Sequence, residues 1–235
     1  MSRIPRWRMG SGIYHVLNRG LNNSWILSSD NDRRIFHQLL VSQKRKFKLN
    51  IYHYVIMSNH FHLAIEALAI RELSAYMGSV CSLYSRYWHF GHGNGRGTIW
   101  QGRFKSVVVQ KENYMNRLGR YIERNPIVAK MENVSRPEDY PWSSAGAYVN
   151  DRDDPLIDVS LHPYWNTRGE TDAERRNSYV GFLSSPDEES IELFDGKGNI
   201  VGNDDFKAAV RLTDGRHVAR NVGRPRKSKS SKANN

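Results

Sequence analysis

Between residues 73 and 88 the apolar side chains fall at Leu73, Tyr76, Met77, Val80, Cys81, Tyr84, Tyr87 and Trp88, an i, i+3, i+4 stripe sustained for about four turns. A strand cannot use that period, whereas an α-helix puts all of these residues on one face. A long amphipathic helix needs an apolar surface to lie on, and the flanking runs supply it. "NIYHYVIM" and "HFHLAIE" precede the helix as two strands separated by Ser58 and Asn59, a turn-like pair that predicts a hairpin. "KSVVVQ" (105 to 110) follows as a short β-branched strand. Upstream, "GIYHVLNRG" (12 to 20) reads as a first strand ending on a turn glycine. Asp30, read as an N-cap with Asp32 in the first turn, opens a first helix in which Ile35, Phe36, Leu39, Leu40 and Phe47 recur at helical spacing.

The order is β-α-β-β-α-β, the split βαβ pattern. It predicts an α+β, ferredoxin-like antiparallel sheet with helices on one face, leaving the other face open for function. The stretch "FGHGNGRGTIW" lacks the G-K-[ST] ending of a phosphate-binding loop and reads as a flexible connection. A further helix is expected over "ENYMNRLGRYIERNP" (112 to 126), where Tyr114, Met115, Leu118, Tyr121 and Ile122 form one inward face. Asn125 lies four residues beyond Tyr121, so the phenol and the carboxamide share a side of the helix. Pro126 disfavours helical ψ at Asn125 and predicts that the helix ends there.

A chain of 235 residues with 39% hydrophobic content is enough for one domain of about 150 residues and an appendage. The formal charge of +11 points to a polyanion, nucleic acid or an anionic membrane surface. No segment approaches a spanning length of about 18 apolar residues, and no apolar stretch follows the basic "MSRIPRWRMG", so neither membrane insertion nor secretion is expected. The lone Cys81 sits on the helical stripe as a small hydrophobe suited to a reducing cytoplasm.

The chemistry centres on "MSNHFHLAIE" (57 to 66). In a strand, His60 and His62 point to one face while Phe61 and Leu63 point to the other, and two neutral imidazoles side by side are half of a metal site. Taken alone, the pair is equally two hydrogen-bonded surface histidines, and Tyr121 alone is equally a core tyrosine with its hydroxyl at the rim. Together with a carboxamide on the neighbouring helix and a strongly basic chain, they suit strand cleavage of DNA by a tyrosine nucleophile.

The sequence resembles the REP-associated tyrosine transposases, within the superfamily of HUH single-strand nucleases. The resemblance runs through "YHVLNRG" (14 to 20), "YVIMSNHFHLAIE" (54 to 66), "WQGRFKS" (100 to 106), "YIERNP" (121 to 126) and "YPWSSAGAY" (140 to 148). It implies a catalytic domain over residues 1–150, with His60 and His62 as metal-binding histidines, Tyr121 as catalytic tyrosine and Asn125 as third polar ligand. Imidazole and amide-oxygen ligation suits Mg²⁺ or Mn²⁺ at low affinity, although zinc also fits the histidines. The implied product is a 5′-phosphotyrosine and a free 3′-hydroxyl, formed without a nucleotide cofactor on single-stranded or hairpin DNA.

Cations and aromatics that could follow such a strand include Arg3, Arg6, Trp7, Arg8, Tyr14, Arg19, Arg103, Phe104 and Lys105. Beyond the polar "NDRDDP", residues 151–220 read as a mostly helical extension with Thr171 and Glu174 in capping-box spacing. Residues 221–235 form a basic tail, expected to be disordered when free; in it Arg224 belongs to a Gly-Arg-Pro core resembling an AT-hook, and Arg226 follows. The competing reading is a non-catalytic nucleic-acid-binding protein on a ferredoxin-like sheet. A zinc hydrolase fits less well, because Glu66 is the only acid close to the histidines along the strand.

Overall fold

The computed structural model describes residues 10–93, 95–185, 193–194 and 200–215. The strands are β1 (Gly12–Arg19), β2 (Leu49–Ile56), β3 (His60–Ala67), β4 (Lys105–Val109) and β5 (Ile200–Val201), in one sheet of order β2-β3-β1-β4-β5. The first four strands pair antiparallel, and β5 joins β4 in parallel. The helices are α1 (Asp30–Lys44), α2 (Ile70–Gly91), α3 (Lys111–Val128), α4 (Ala145–Asn150), α5 (Asp172–Ser184) and α6 (Asp204–Gly215). The split βαβ core is therefore as expected, with an added parallel edge strand.

Period-two alternation divides the sheet into two surfaces. Tyr14 and Val16 of β1, with Phe61, Leu63 and Ile65 of β3, face Phe36 and Leu40 of α1 and the α2 stripe from Leu73 to Tyr84. The opposite surface, expected to be open, is roofed by α3. Met115, Leu118 and Ile122 of that helix pack on Ile13, Val55, Ala64, Val107 and Val109. The inward stripe predicted for α3 required such a surface, and the histidine face of β3 is the one it takes. Leu156, Ile157, Trp165, Tyr179 and Leu183, from beyond residue 150, join the same continuous core cluster as α1 and α2, and Tyr179 also reaches Glu123 of α3.

Two helix boundaries differ from the expectations. Ser29, not Asp30, caps α1: the Ser29 side chain accepts from the Asp32 N–H while Asp32 reaches back to the Ser29 N–H. Helix α3 runs through Pro126 to Val128. Proline removes one donor there, but the Ala129, Met131 and Lys130 N–H groups satisfy the carbonyls of Asn125, Pro126 and Ile127 at 2.9, 3.0 and 3.0 Å. The Asn125 amide adds a bond to the Tyr121 carbonyl at 2.8 Å. The turn thus loses little by continuing. The Thr171 cap of α5 is present, with the Glu174 N–H donating to it at 3.2 Å. No described helix is long and apolar enough to cross a membrane. The basic tail lies outside the described residues.

Candidate active site

On β3, His60 stands opposite Arg19 of β1 and His62 opposite Leu17, so both imidazoles project from the surface that α3 covers. Each ring has its Nδ1 engaged. His62 Nδ1 meets Nε2 of His15 at 2.8 Å, and His60 Nδ1 meets Oδ1 of Asn59 at 2.6 Å. Asn59 is itself held by Gly20, the residue after β1, whose N–H donates to its carbonyl at 2.8 Å. A Cβ on Gly20 would stand 2.2 Å from the Ser24 carbonyl oxygen, so the chain passes there only without a side chain. Burial pushes the His60 imidazole below its ordinary range; a hydrogen bond with the Asn125 side chain works against this, and the Arg19 charge reinforces it. His62 is driven well below by burial and by its histidine neighbours, and His15 by burial to about 3. All three are neutral at pH 7, the state in which an imidazole binds a metal.

Helix α3 carries the phenol to this cluster. The Tyr121 ring stands edge-on to His62 at 5.5 Å between centroids and 87°, and to His15 at 5.7 Å and 81°. Phe194 closes a third side at 5.5 Å. One turn on, the Asn125 Nδ2 group donates to the Tyr121 carbonyl. Only the nitrogen end of a carboxamide can donate, so Oδ1 remains as the donor atom for a cation. Tyr121, His60, His62 and Asn125 are therefore brought together within one chain.

Two neutral imidazoles and one amide oxygen fit a divalent ion whose shell is completed by water or phosphate, the hydrogen bond between His60 and Asn125 giving way to it. Among the described residues no three of His, Cys, Asp and Glu group into a closed metal site, so the set fits a weakly held ion better than a structural zinc. Glu66 is otherwise engaged. Burial pushes its carboxyl up, but hydrogen bonds from Tyr52 and Lys111 outweigh that and hold it below its ordinary value. That commitment weakens its case as the base of a hydrolase.

Of the cations singled out, Arg19 is exposed beside His60, with its guanidinium on Gln101. Lys105 is half-buried opposite Leu17, in the same cross-strand row as His62. Arg103 is exposed at a groove it shares with Asn18, Arg71, Met77 and Phe104. Tyr14 and Phe104 are buried in the core, at 0% and 6% exposure, and are not available to stack on bases. Arg3, Arg6, Trp7, Arg8, Arg224 and Arg226 lie outside the described residues. Sequence reasoning missed His15, Asn59 and Phe194 as parts of the site. The alternation of β1, which puts His15 on the face of Ile13 and Arg19, was the one available signal.

Residues 9–125 match the family model described as transposase IS200 like. No curated protein sequence matches the chain. A solved structure of a REP-associated tyrosine transposase bound to a REP hairpin superposes with a TM-score of 0.51 at 19% identity, covering 69% of this chain and 97% of that one. The likeness is one of fold, and the matched region contains every residue of the His60–His62–Tyr121–Asn125 cluster. Through residues 9–125 the chain belongs to the family of IS200-like transposases.

Proposed function

We propose that the chain is a metal-dependent single-stranded DNA endonuclease and strand transferase in which Tyr121 is the nucleophile and His60, His62 and Asn125 hold the ion. The observation that carries this reading is the Tyr121 ring standing 5.5 Å from that of His62 in the same chain, with the Asn125 amide on His60. The Tyr121 hydroxyl gives up its proton to solvent as its oxygen attacks the scissile phosphorus in line, the P–O3′ bond breaks, the leaving 3′-oxygen takes a proton from solvent, and a 5′-phosphotyrosine remains. One phosphodiester replaces another, so attack by a second 3′-hydroxyl releases Tyr121 and joins strands without a nucleotide cofactor. A phenol has an ordinary pKa of about 10, so attack at neutral pH needs the developing charge to be stabilised. The ion, when bound, supplies Lewis-acid polarisation of the phosphate. Arg19, opposite His60, and Lys105, in the cross-strand row of His62, are the cations beside the cluster that can hold the backbone next to the cut. A hairpin-forming single strand is the proposed substrate, on the strength of the hairpin bound by the structural neighbour.

The test is incubation with hairpin-bearing single-stranded oligonucleotides and Mg²⁺ or Mn²⁺, then a denaturing gel for a covalent adduct. Tyr121→Phe should form none while still binding DNA. Tyr114→Phe, two turns before Tyr121 on the same face of α3, should form it normally and cost only stability. His60→Ala, His62→Ala or excess chelator should also remove it. Adduct formation by Tyr121→Phe at the parent rate would end the assignment, and binding with no adduct from the parent would favour the non-catalytic reading.

A further inference from the structure

His15 lies on β1, 0% exposed, with its Nε2 at 2.8 Å from Nδ1 of His62 and its ring 5.0 Å from that ring in a stacked arrangement of 19°. Its other nitrogen, Nδ1, has no hydrogen-bond partner among the described residues. A buried ring nitrogen left without a partner costs about 1–3 kcal/mol, so a histidine is an expensive way to fill this position. Its remaining neighbours, the edges of Tyr121 and Phe194, would accept a phenyl ring equally well. The one contact that needs a nitrogen at position 15 is the bond to His62.

The geometry of that bond constrains chemistry. A single hydrogen sits between the two nitrogens of neutral rings, and which ring owns it decides what His62 can offer at Nε2. If His15 donates, the proton of His62 is on Nε2 and the ring cannot bind a cation there. If His15 accepts, His62 carries Nδ1–H, its ring is held in place, and the Nε2 lone pair is open. His15 must then carry its own proton on the partnerless Nδ1. Each arrangement holds two ring protons, so the exchange is neutral in protons and charge.

We propose that His15 is a positioning residue that accepts the His62 Nδ1–H, thereby selecting the tautomer and the ring direction in which His62 presents Nε2 to a divalent cation. The inference rests on the metal role of His62 proposed above. Outer partners of this kind, when removed, cost about 10–100-fold in metal affinity. Position 15 also predicts opposite signs for affinity and stability. His15→Phe exchanges one partnerless nitrogen for another, now on His62, and places a more apolar ring in the core.

The experiment is a Mn²⁺ titration of the full chain followed by electron paramagnetic resonance, run beside urea unfolding. The parent should bind Mn²⁺ and His62→Ala should not. His15→Phe should bind about 10-fold or more weakly with an unfolding midpoint equal to or above the parent's, and His15→Gln, which restores an acceptor at that reach, should recover much of the loss. An unchanged affinity in His15→Phe overturns the proposal while leaving the metal site standing. Absence of His62-dependent Mn²⁺ binding in the parent removes the metal reading and this one with it. If His15→Phe proves unstable, the parent decides: ¹⁵N spectra of the Mg²⁺-saturated protein should show His62 protonated at Nδ1, and a proton on its Nε2 overturns the proposal.

Discussion

Glu123 lies between Tyr121 and Asn125 on α3, wholly buried, and its surroundings assign every proton near it. The Tyr164 N–H donates to His162 Nδ1 at 3.2 Å, so the His162 proton is on Nε2 and is given to His53 Nε2 at 3.1 Å. His53 in turn donates from Nδ1 to Glu123 Oε1 at 2.8 Å, which Ser144 Oγ also reaches at 2.6 Å, while the Tyr179 hydroxyl donates to Oε2 at 2.8 Å. A buried carboxylate is tolerated only with such a set of donors. Tyr179→Phe deletes the hydroxyl that donates to Oε2 and leaves the ring in place, so stability should fall by about 1.5–3 kcal/mol in urea unfolding. Adduct formation below the transition should persist, because the hydroxyl lies on the far side of α3 from the His60–His62 pair. Loss of the adduct in a fully folded Tyr179→Phe protein would move this network into the chemistry.

Helix α3 is placed by shape as well as by charge. A Cβ on Gly119 would stand 2.5–2.8 Å from three atoms of the His53 imidazole, a ring that cannot retreat because both its nitrogens are bonded. Alanine is the better helix former by about 1 kcal/mol, yet Gly119→Ala should lower the melting temperature and weaken the adduct by lifting Tyr121 from His62. A raised melting temperature with full activity would show that α3 has slack against β2. How much of this was legible beforehand follows the range of the interactions. The α2 stripe, the alternation of β3 and the four-residue step from Tyr121 to Asn125 are local periodicities, and each was readable from sixteen residues or fewer. The roofing of the second sheet face by α3 was implied by its inward stripe but not located, because period alone does not name the partner surface. His15 joins His62 across 47 positions through strand pairing, and Phe194 arrives from the far end of the chain. The alternation of β1 gives the face of His15 but not its partner, and Phe194 leaves no local signal. The Pro126 rule failed because it counts the missing donor and not the bonds that finish the turn.

At the scale of the whole molecule, the α4–α5 region is tied to the catalytic side through buried neutral histidine, and this makes its stability depend on acid. His162 is held down to about 2, first by burial and then by the nearby His53 and Arg168, against an ordinary value of 6.5. The unfolded chain therefore takes up a proton as pH falls through about 6.5, while the folded chain takes none until far lower. The unfolded state binds more protons across that window, so stability is fully present above pH 6.5 and declines below it, by about 1.4 kcal/mol per pH unit for this one site once the unfolded ring is protonated. Protonation in the folded state would set an imidazolium Nδ1–H against the Tyr164 N–H that it now accepts, so no relaxed charged form is available in place. Urea unfolding of the parent at pH 7 and pH 5 should show the loss, and His162→Gln, with no group titrating in that range, should show a slope shallower by about one proton. An identical slope in the two proteins would mean that His162 already ionises in the folded chain, and the proton assignment running from Tyr164 to Glu123 would have to be reversed.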